Sequence, residues 1–324
     1  MLKIVIGSDL HLRSSYPKPS ADRSTFTFKQ KITRSGPFQF AANKMLVPVY
    51  ERLATREANL KPHTKVEQFL ASKLNVADVF NSTGANFGVF NGDFFDLSRT
   101  TPGRDRVRQE DVLHAGRDLI DNVELPVLFL PGNSDVLYKD DLSTLFDDFS
   151  FVSKNSWDRV KELSDTDHEP VMDNYGNWGL KVHDCLVIGL NSVPPGEFKF
   201  PDDFNHAFVE QALSSSKKNV PVIVFTHHAP FRVLPWYFQL IGEGVPAQTW
   251  LLKEDGLLSQ HVQRTGKPVF VTSGHCHQWL YEKGADGISR LCNLPMSVSR
   301  GNIGALIKAD DETIKVEKIR INQQ

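Results

Sequence analysis

Six short apolar runs constrain this chain more than any other feature: residues 3–7, Phe87–Asn91, residues 126–130, Cys185–Asn191, Val220–Thr226 and residues 268–273. Each is too short for a helix, and most are rich in β-branched or aromatic residues. None shows the in–out alternation of a strand with one wet face. Unbroken apolar runs of this length fit strands covered on both sides, as in an α/β sheet. Helical signals lie between them. "TKVE" at Thr64–Glu67 is a capping box, and Val66, Phe69, Leu70 and Leu74 then recur on one face, predicting a helix to about Val79. Further helices are expected near Gln109–Asp121, from about Asp202, and over Thr249–Arg264, with one more around Ala41–Leu60. The β–α–β order makes a parallel arrangement the economical one. After residue 273 come short strands joined by "EKGADG" and "ADDET", which predict antiparallel hairpins.

Length and composition fit this picture. The chain has 324 residues, 40% of them hydrophobic, enough for a sizeable core. No linker or repeat demands a boundary, so one domain over residues 1–324 is expected. It carries two insertions, a basic one at about 14–62 and a loop at about 230–246. The net charge of −2 is unevenly spread. Eleven Lys and Arg stand against Asp22, Glu51 and Glu57 between Arg13 and Lys65, a local +8 that leaves −10 elsewhere. The chain as a whole is therefore not built to bind a polyanion, although its basic insertion offers a local attraction for one. Two readings of that insertion stand. Its cations, with Tyr16, Phe26, Phe28, Phe38 and Phe40, suit phosphate contacts and base stacking on a nucleic acid. Alternatively, the aromatics pack the insertion onto the domain. Phe231, Trp236, Tyr237 and Phe238 in the second insertion suit either a pocket wall or a covered edge.

Cys185, Cys276 and Cys292 match neither a disulfide framework nor a zinc knuckle, as expected of a reducing compartment. The N-terminus enters a strand directly, with no sign of a leader. No run approaches the roughly 18 apolar residues of a membrane span. A cytoplasmic protein with no membrane partner is expected.

The chemistry sits where the strands stop. Five clusters close five of the runs: "SDLH" (Asp9, His11), "NGDFFD" (Asp93, Asp96), "GNSD" (Asn133, Asp135), "THHAP" (His227, His228) and "GHCH" (His275, His277). The C-terminal ends of parallel strands form the crevice in which α/β proteins bind ligands. Carboxylates, an amide oxygen and imidazoles are thus directed to one rim. Mixed Asp and His ligands suit Mn, Fe or Zn, whereas an all-oxygen set suits Mg or Ca. In D-x-H and H-x-H, alternate residues share one side of an extended segment, so both reach one metal region. Gly92 permits a tight turn before Asp93, whose two oxygens suffice to bridge two ions. Asp135 is expected to brace its own turn.

In this order, the motifs resemble the calcineurin-like metallophosphoesterase superfamily, whose pattern runs D-x-H, G-D-x-x-D, G-N-H-D/E, H and G-H-x-H. The resemblance extends from Asp9 to His277. It implies an α/β fold, a four-layer αββα sandwich of two mixed β-sheets flanked by helices. It implies two divalent ions, with Mn first among Mn, Fe and Zn. One would be held by Asp9, His11, Asp93 and His277, the other by Asp93, Asn133, His227 and His275, with Asp93 bridging. His227 is preferred to His228 because the family's usual form is H-x-P or H-H-P-P. The implied activity is hydrolysis of phosphate esters by a hydroxide that the cations generate from water.

This chain departs from the pattern at one place. The histidine of G-N-H is Ser134, although Asp96, which would orient that histidine, is present. Serine is no general acid near neutral pH, and such help is worth about 10²–10⁴-fold. Three consequences are open: Ser134 is compatible with catalysis as it stands, His228 supplies the proton instead, or the protein is a catalytically weak metal-binding scaffold. The missing histidine and the "HHAP" form favour diesters over monoesters. A metal-dependent DNA or RNA nuclease is the alternative, suggested by "DLHL", "GDFFD" and the basic insertion.

Overall fold

The computed structural model describes residues 1–8, 76–94, 119–132, 135, 157–173, 176–192, 204–216, 219–228, 256–275, 279–293 and 302–320. Twelve strands are described, in two sheets. The first has five: β1 (Leu2–Gly7), β2 (Phe87–Asn91), β3 (Val127–Leu130), β11 (Asn302–Ala309) and β12 (Ile314–Arg320), in the order β12-β11-β1-β2-β3. The second has seven: β4 (Val171–Met172), β5 (Trp178–Val182), β6 (Cys185–Leu190), β7 (Val222–Thr226), β8 (Val269–Ser273), β9 (Leu280–Lys283) and β10 (Ile288–Cys292), in the order β4-β5-β6-β7-β8-β10-β9.

All six apolar runs are strands, divided three and three. β1, β2 and β3 are mutually parallel in the first sheet, and β6, β7 and β8 in the second. The hairpins β9–β10 and β11–β12 are antiparallel, as the two turn sequences predicted. Both sheets are therefore mixed. The hairpin β4–β5 and a short helix at 157–161 were not legible in the sequence. Trp178 explains part of this. It pairs with Gly189, whose missing Cβ leaves room for the indole, so the strand depends on a long-range partner rather than on its own pattern.

Three hydrophobic clusters define four layers. Leu2, Ile4, Ile6, Phe87 and Val89 of the first sheet meet Trp178, Leu180, Val187, Phe225 and Phe270 of the second. On the outer face of the first sheet, Val5, Phe90 and Phe129 pack on Val76, Ala77 and Phe80 of the helix at 76–82. On the outer face of the second, Ile188, Val224 and Val271 pack on Phe208, Val209 and Ala212 of the helix Phe204–Ser215 and on Leu258 of the helix at 256–265. Strands buried on both faces explain the unbroken apolar runs, and the result is the expected αββα sandwich. No helix among the described residues is long and apolar enough to cross a membrane.

Candidate metal centre

Strand register carries the site. Asn91 pairs with Leu130, so two residues on, Asp93 meets Gly132. Leu190 pairs with Thr226, so Ser192 meets His228. Phe225 pairs with Thr272, so His227 meets Gly274, whose N–H donates to the His227 carbonyl at 3.1 Å. The two sheets are joined at this end by Asn91, whose Nδ2 donates to the Thr272 carbonyl at 3.1 Å.

Asp93 is buried and sits in the left-handed backbone region at φ 52°, a strained conformation for a residue with a Cβ. Two glycines and an aromatic hold it. A Cβ on Gly132 would collide with the Asp93 nitrogen and Oδ1. Gly92, at φ 83°, leaves room for the His227 ring. Phe94, also buried, stacks edge-on against Phe90 at 4.8 Å and Phe129 at 5.3 Å, pinning the backbone beside the carboxylate. Asp135 braces the neighbouring turn, as expected: its Oδ2 accepts the Gly132 N–H at 2.8 Å.

His227 is fully buried. Its Nδ1 lies 3.1 Å from the Asn91 carbonyl oxygen. A carbonyl only accepts, so Nδ1 carries a ring hydrogen, and in the neutral imidazole Nε2 presents a lone pair. That Nε2 is 3.4 Å from Asp93 Oδ1. His275, at φ 67°, completes a group with His227 and His228 whose ligand atoms all lie within 4.8 Å of one another. The rings of His228 and His275 are 4.7 Å apart, and each lies 5.1 Å from that of His227. His228 is only partly buried. Ser192 Oγ accepts its backbone N–H at 3.1 Å and bonds its Nδ1 at 2.9 Å.

Of the residues singled out in the sequence, Asp93, His227, His228 and His275 are brought together. Asp9, His11, Asp96, Asn133, Ser134 and His277 lie outside the described residues, as do both insertions. Sequence reasoning missed Ser192, the Asn91 carbonyl and the steric role of Gly132. Ser192 had a faint signal, since "LNS" closes a sixth apolar run just as the motif clusters close the other five.

The donor set fits a transition-metal ion. The Asp93 carboxylate stands 3.4 Å from His227 Nε2, His275 adds a second imidazole beside that ring, and a neutral His227 with its hydrogen on Nδ1 offers Nε2 as a ligand. Two ligands of one ion bonded at about 2.1 Å stand about 3–4 Å apart, the separation of Asp93 and His227.

Comparison with known proteins defines the class. The sequence profile described as calcineurin-like phosphoesterase matches residues 2–279, and the chain belongs to that family. Over 112 residues it is 28% identical to a probable cyclic nucleotide phosphodiesterase of Rhodopseudomonas palustris, and the match spans 35% of each chain. Its fold is similar to that of a dimetal phosphatase from Danio rerio (TM-score 0.54, 11% identity, 98% of this chain and 96% of that one). It is also similar to a purple acid phosphatase from yellow lupin, Lupinus luteus (TM-score 0.50, 11% identity, 98% of this chain and 51% of that one).

Proposed function

We propose that the protein hydrolyses phosphodiesters with two divalent cations, Mn foremost, held between its sheets. The observation that carries this reading is the juxtaposition of Asp93, His227 and His275 at the strand ends, with His228 beside them and a serine in the slot of the family's proton-donating histidine. One ion would be held by Asp9, His11, Asp93 and His277, and the other by Asp93, Asn133, His227 and His275. When bound, the ions supply a nucleophile at neutral pH and neutralise phosphoryl charge.

The chain's own residues do the rest. Asp93 is fixed by Gly92, Gly132 and Phe94, so its carboxylate is oriented before substrate arrives. Asn91 fixes the His227 tautomer through its carbonyl. His228, whose Nδ1 lies 2.9 Å from Ser192 Oγ, would serve as the general acid in its imidazolium form, giving up the Nε2 proton. In hydrolysis, a bond forms from water oxygen to phosphorus, and the bond from phosphorus to the leaving oxygen breaks. The leaving oxygen takes the His228 proton, which is restored from solvent. Ser134 supplies no such proton. Monoester groups carry an additional negative charge and lean most on the missing histidine, so diesters are favoured. The resemblance to a probable cyclic nucleotide phosphodiesterase supports the same class.

The test is turnover by Mn-loaded protein of an aryl phosphodiester, an aryl phosphomonoester, cyclic nucleotides, and single- and double-stranded DNA. Diester hydrolysis exceeding monoester hydrolysis is expected. DNA cleavage that moderate salt abolishes would move the assignment to a nuclease. Two bound metals with no turnover on any substrate would make the protein a scaffold.

A further inference from the structure

We infer that Asn91 is a positioning residue for the metal centre: its side-chain amide sets the gap across which the two sheets share their ligands. This deepens the proposed function and rests on its reading of a two-ion site. In that reading neither ion is held by one sheet alone. Asp9, His11, Asp93 and Asn133 follow strands of the first sheet, and His227, His275 and His277 follow strands of the second. Metal–ligand bonds tolerate errors of only about 0.2 Å, whereas apolar packing between stacked sheets is non-directional. A directional bond across the gap is what such a site needs.

Asn91 makes that bond. It is the last residue of β2, fully buried, and stands two residues before Asp93. Strand alternation turns its side chain toward the second sheet, with those of Phe87 and Val89. There Nδ2 donates to the Thr272 carbonyl at 3.1 Å, three residues before His275. The Asn91 carbonyl lies 3.1 Å from His227 Nδ1, and the Gly274 N–H donates to the His227 carbonyl at 3.1 Å. These bonds close a circuit, from Asn91 to the end of β8, from there to the end of β7, and back to Asn91. The 3.4 Å between Asp93 Oδ1 and His227 Nε2 is spanned by it. The same amide is costly to the core. Only Nδ2 can donate to a carbonyl, so the other side of the amide carries Oδ1, which is buried with no hydrogen-bond partner among the described residues. A buried acceptor left unpaired destabilises, and an apolar side chain of the same shape avoids that cost. Leu130, which pairs with Asn91 from β3, is such a side chain in the same layer. Packing alone therefore favours leucine at position 91, and the Nδ2 bond is what asparagine adds.

The experiment measures Mn binding by wild type, Asn91→Leu, Asn91→Ala and Val89→Ala, with thermal melting of each metal-free protein. Titration followed by the electron paramagnetic resonance of free Mn gives stoichiometry and affinity. The exchange-coupled signal of a bound Mn pair reports their separation without turnover. Asn91→Leu should weaken one of the two ions by roughly 10–100-fold, the scale for partners that orient metal ligands, and should lose or alter the coupled signal. Its metal-free melting temperature should equal or exceed that of wild type, because the unpaired oxygen is gone. Val89→Ala truncates an apolar side chain of the same strand and layer. It should melt lower yet keep both affinity and coupling. Asn91→Ala should melt lower and also weaken the ion, so that affinity follows the amide and not the stability. If the leucine variant does not fold, the comparison of Asn91→Ala with Val89→Ala decides alone. Asn91 variants that bind and couple both ions as wild type does would overturn the inference. So would a Val89→Ala protein that loses the second ion as fully as Asn91→Ala, since packing would then account for both. A wild-type chain that takes up fewer than two Mn would instead overturn the two-ion reading beneath, and the role of Asn91 with it.

Discussion

His227 Nε2 lies 3.4 Å from Asp93 Oδ1, although the two residues stand at the ends of strands in different sheets. The ring hydrogen is spent on the Asn91 carbonyl, so what faces the carboxylate is a lone pair. A metal cation between them would make so close a pair of acceptors favourable. His227→Ala should therefore cut turnover at least about 100-fold, the upper scale even for outer partners of metal ligands. It should also lower bound Mn per chain. The check is steady-state kinetics alongside elemental analysis of the same samples.

Gly92 and Gly132 guard the two flanks of this pair. Alanine at Gly132 would drive its Cβ into Asp93, and alanine at Gly92 would add backbone strain at φ 83° and a clash with His227. Each variant should lose about 1–3 kcal/mol of stability. Each should also lose most activity, because the displaced atoms belong to the site. Urea unfolding monitored by Trp fluorescence measures the first effect. Gly84→Ala is the comparison: it has a left-handed backbone but open space around its Cβ, so it should cost stability without costing activity.

Phe94 links packing to chemistry. Its ring sits in an aromatic cluster with Phe90 and Phe129, one residue from the strained Asp93. Phe94→Ala should destabilise the fold by about 3–5 kcal/mol. Phe94→Leu, closer in volume, should cost less and retain more activity. A Phe94→Leu protein as damaged as Phe94→Ala in thermal melts and kcat would contradict the view that ring volume alone anchors the turn.

Much of this was legible in the residues. Six apolar runs marked six buried strands because burial on both faces leaves no polar alternation to confuse them. The motif clusters marked the strand ends because chemistry accumulates where parallel strands stop. The two tight turns were marked by Gly and Asp. Register was not legible. Nothing local to Asn191 and Ser192 says that they lie beside His228, since that follows from which strand pairs with which. The β4–β5 hairpin was hidden for a similar reason. Lys181 in β5 is buried, a poor signal for a strand interior, and is tolerated only because Asp167, Asp165 and Asp184 surround its ammonium group. Burial alone would lower the Lys181 pKa, and those carboxylates reverse the direction to a rise.

A pH prediction comes from His261. Its Nε2 donates to the Val220 carbonyl at 2.9 Å, while Nδ1 is buried without a hydrogen-bond partner. Burial holds its pKa below the ordinary 6.5, against the opposing pull of that bond. The unfolded chain thus binds the proton more readily than the folded one. Stability from this group is complete above about pH 6.5 and is lost as pH falls below it. His168 shifts in the same direction, also chiefly through burial. Melting temperature should fall from pH 7.5 to pH 5. His261→Gln, which retains a donor for Val220, should show a shallower fall. An unchanged slope would assign the acid sensitivity elsewhere.

The central claim is that folding gathers Asp93 and the histidines around two cations. It is tested most directly by counting metal on the purified, Mn-loaded chain and on Asp93→Asn, with diester hydrolysis measured on the same samples. Two ions per wild-type chain are expected, and in Asp93→Asn one or fewer together with loss of hydrolysis. A wild-type chain that retains no transition metal, or an Asp93→Asn chain that keeps both ions and full activity, would contradict it.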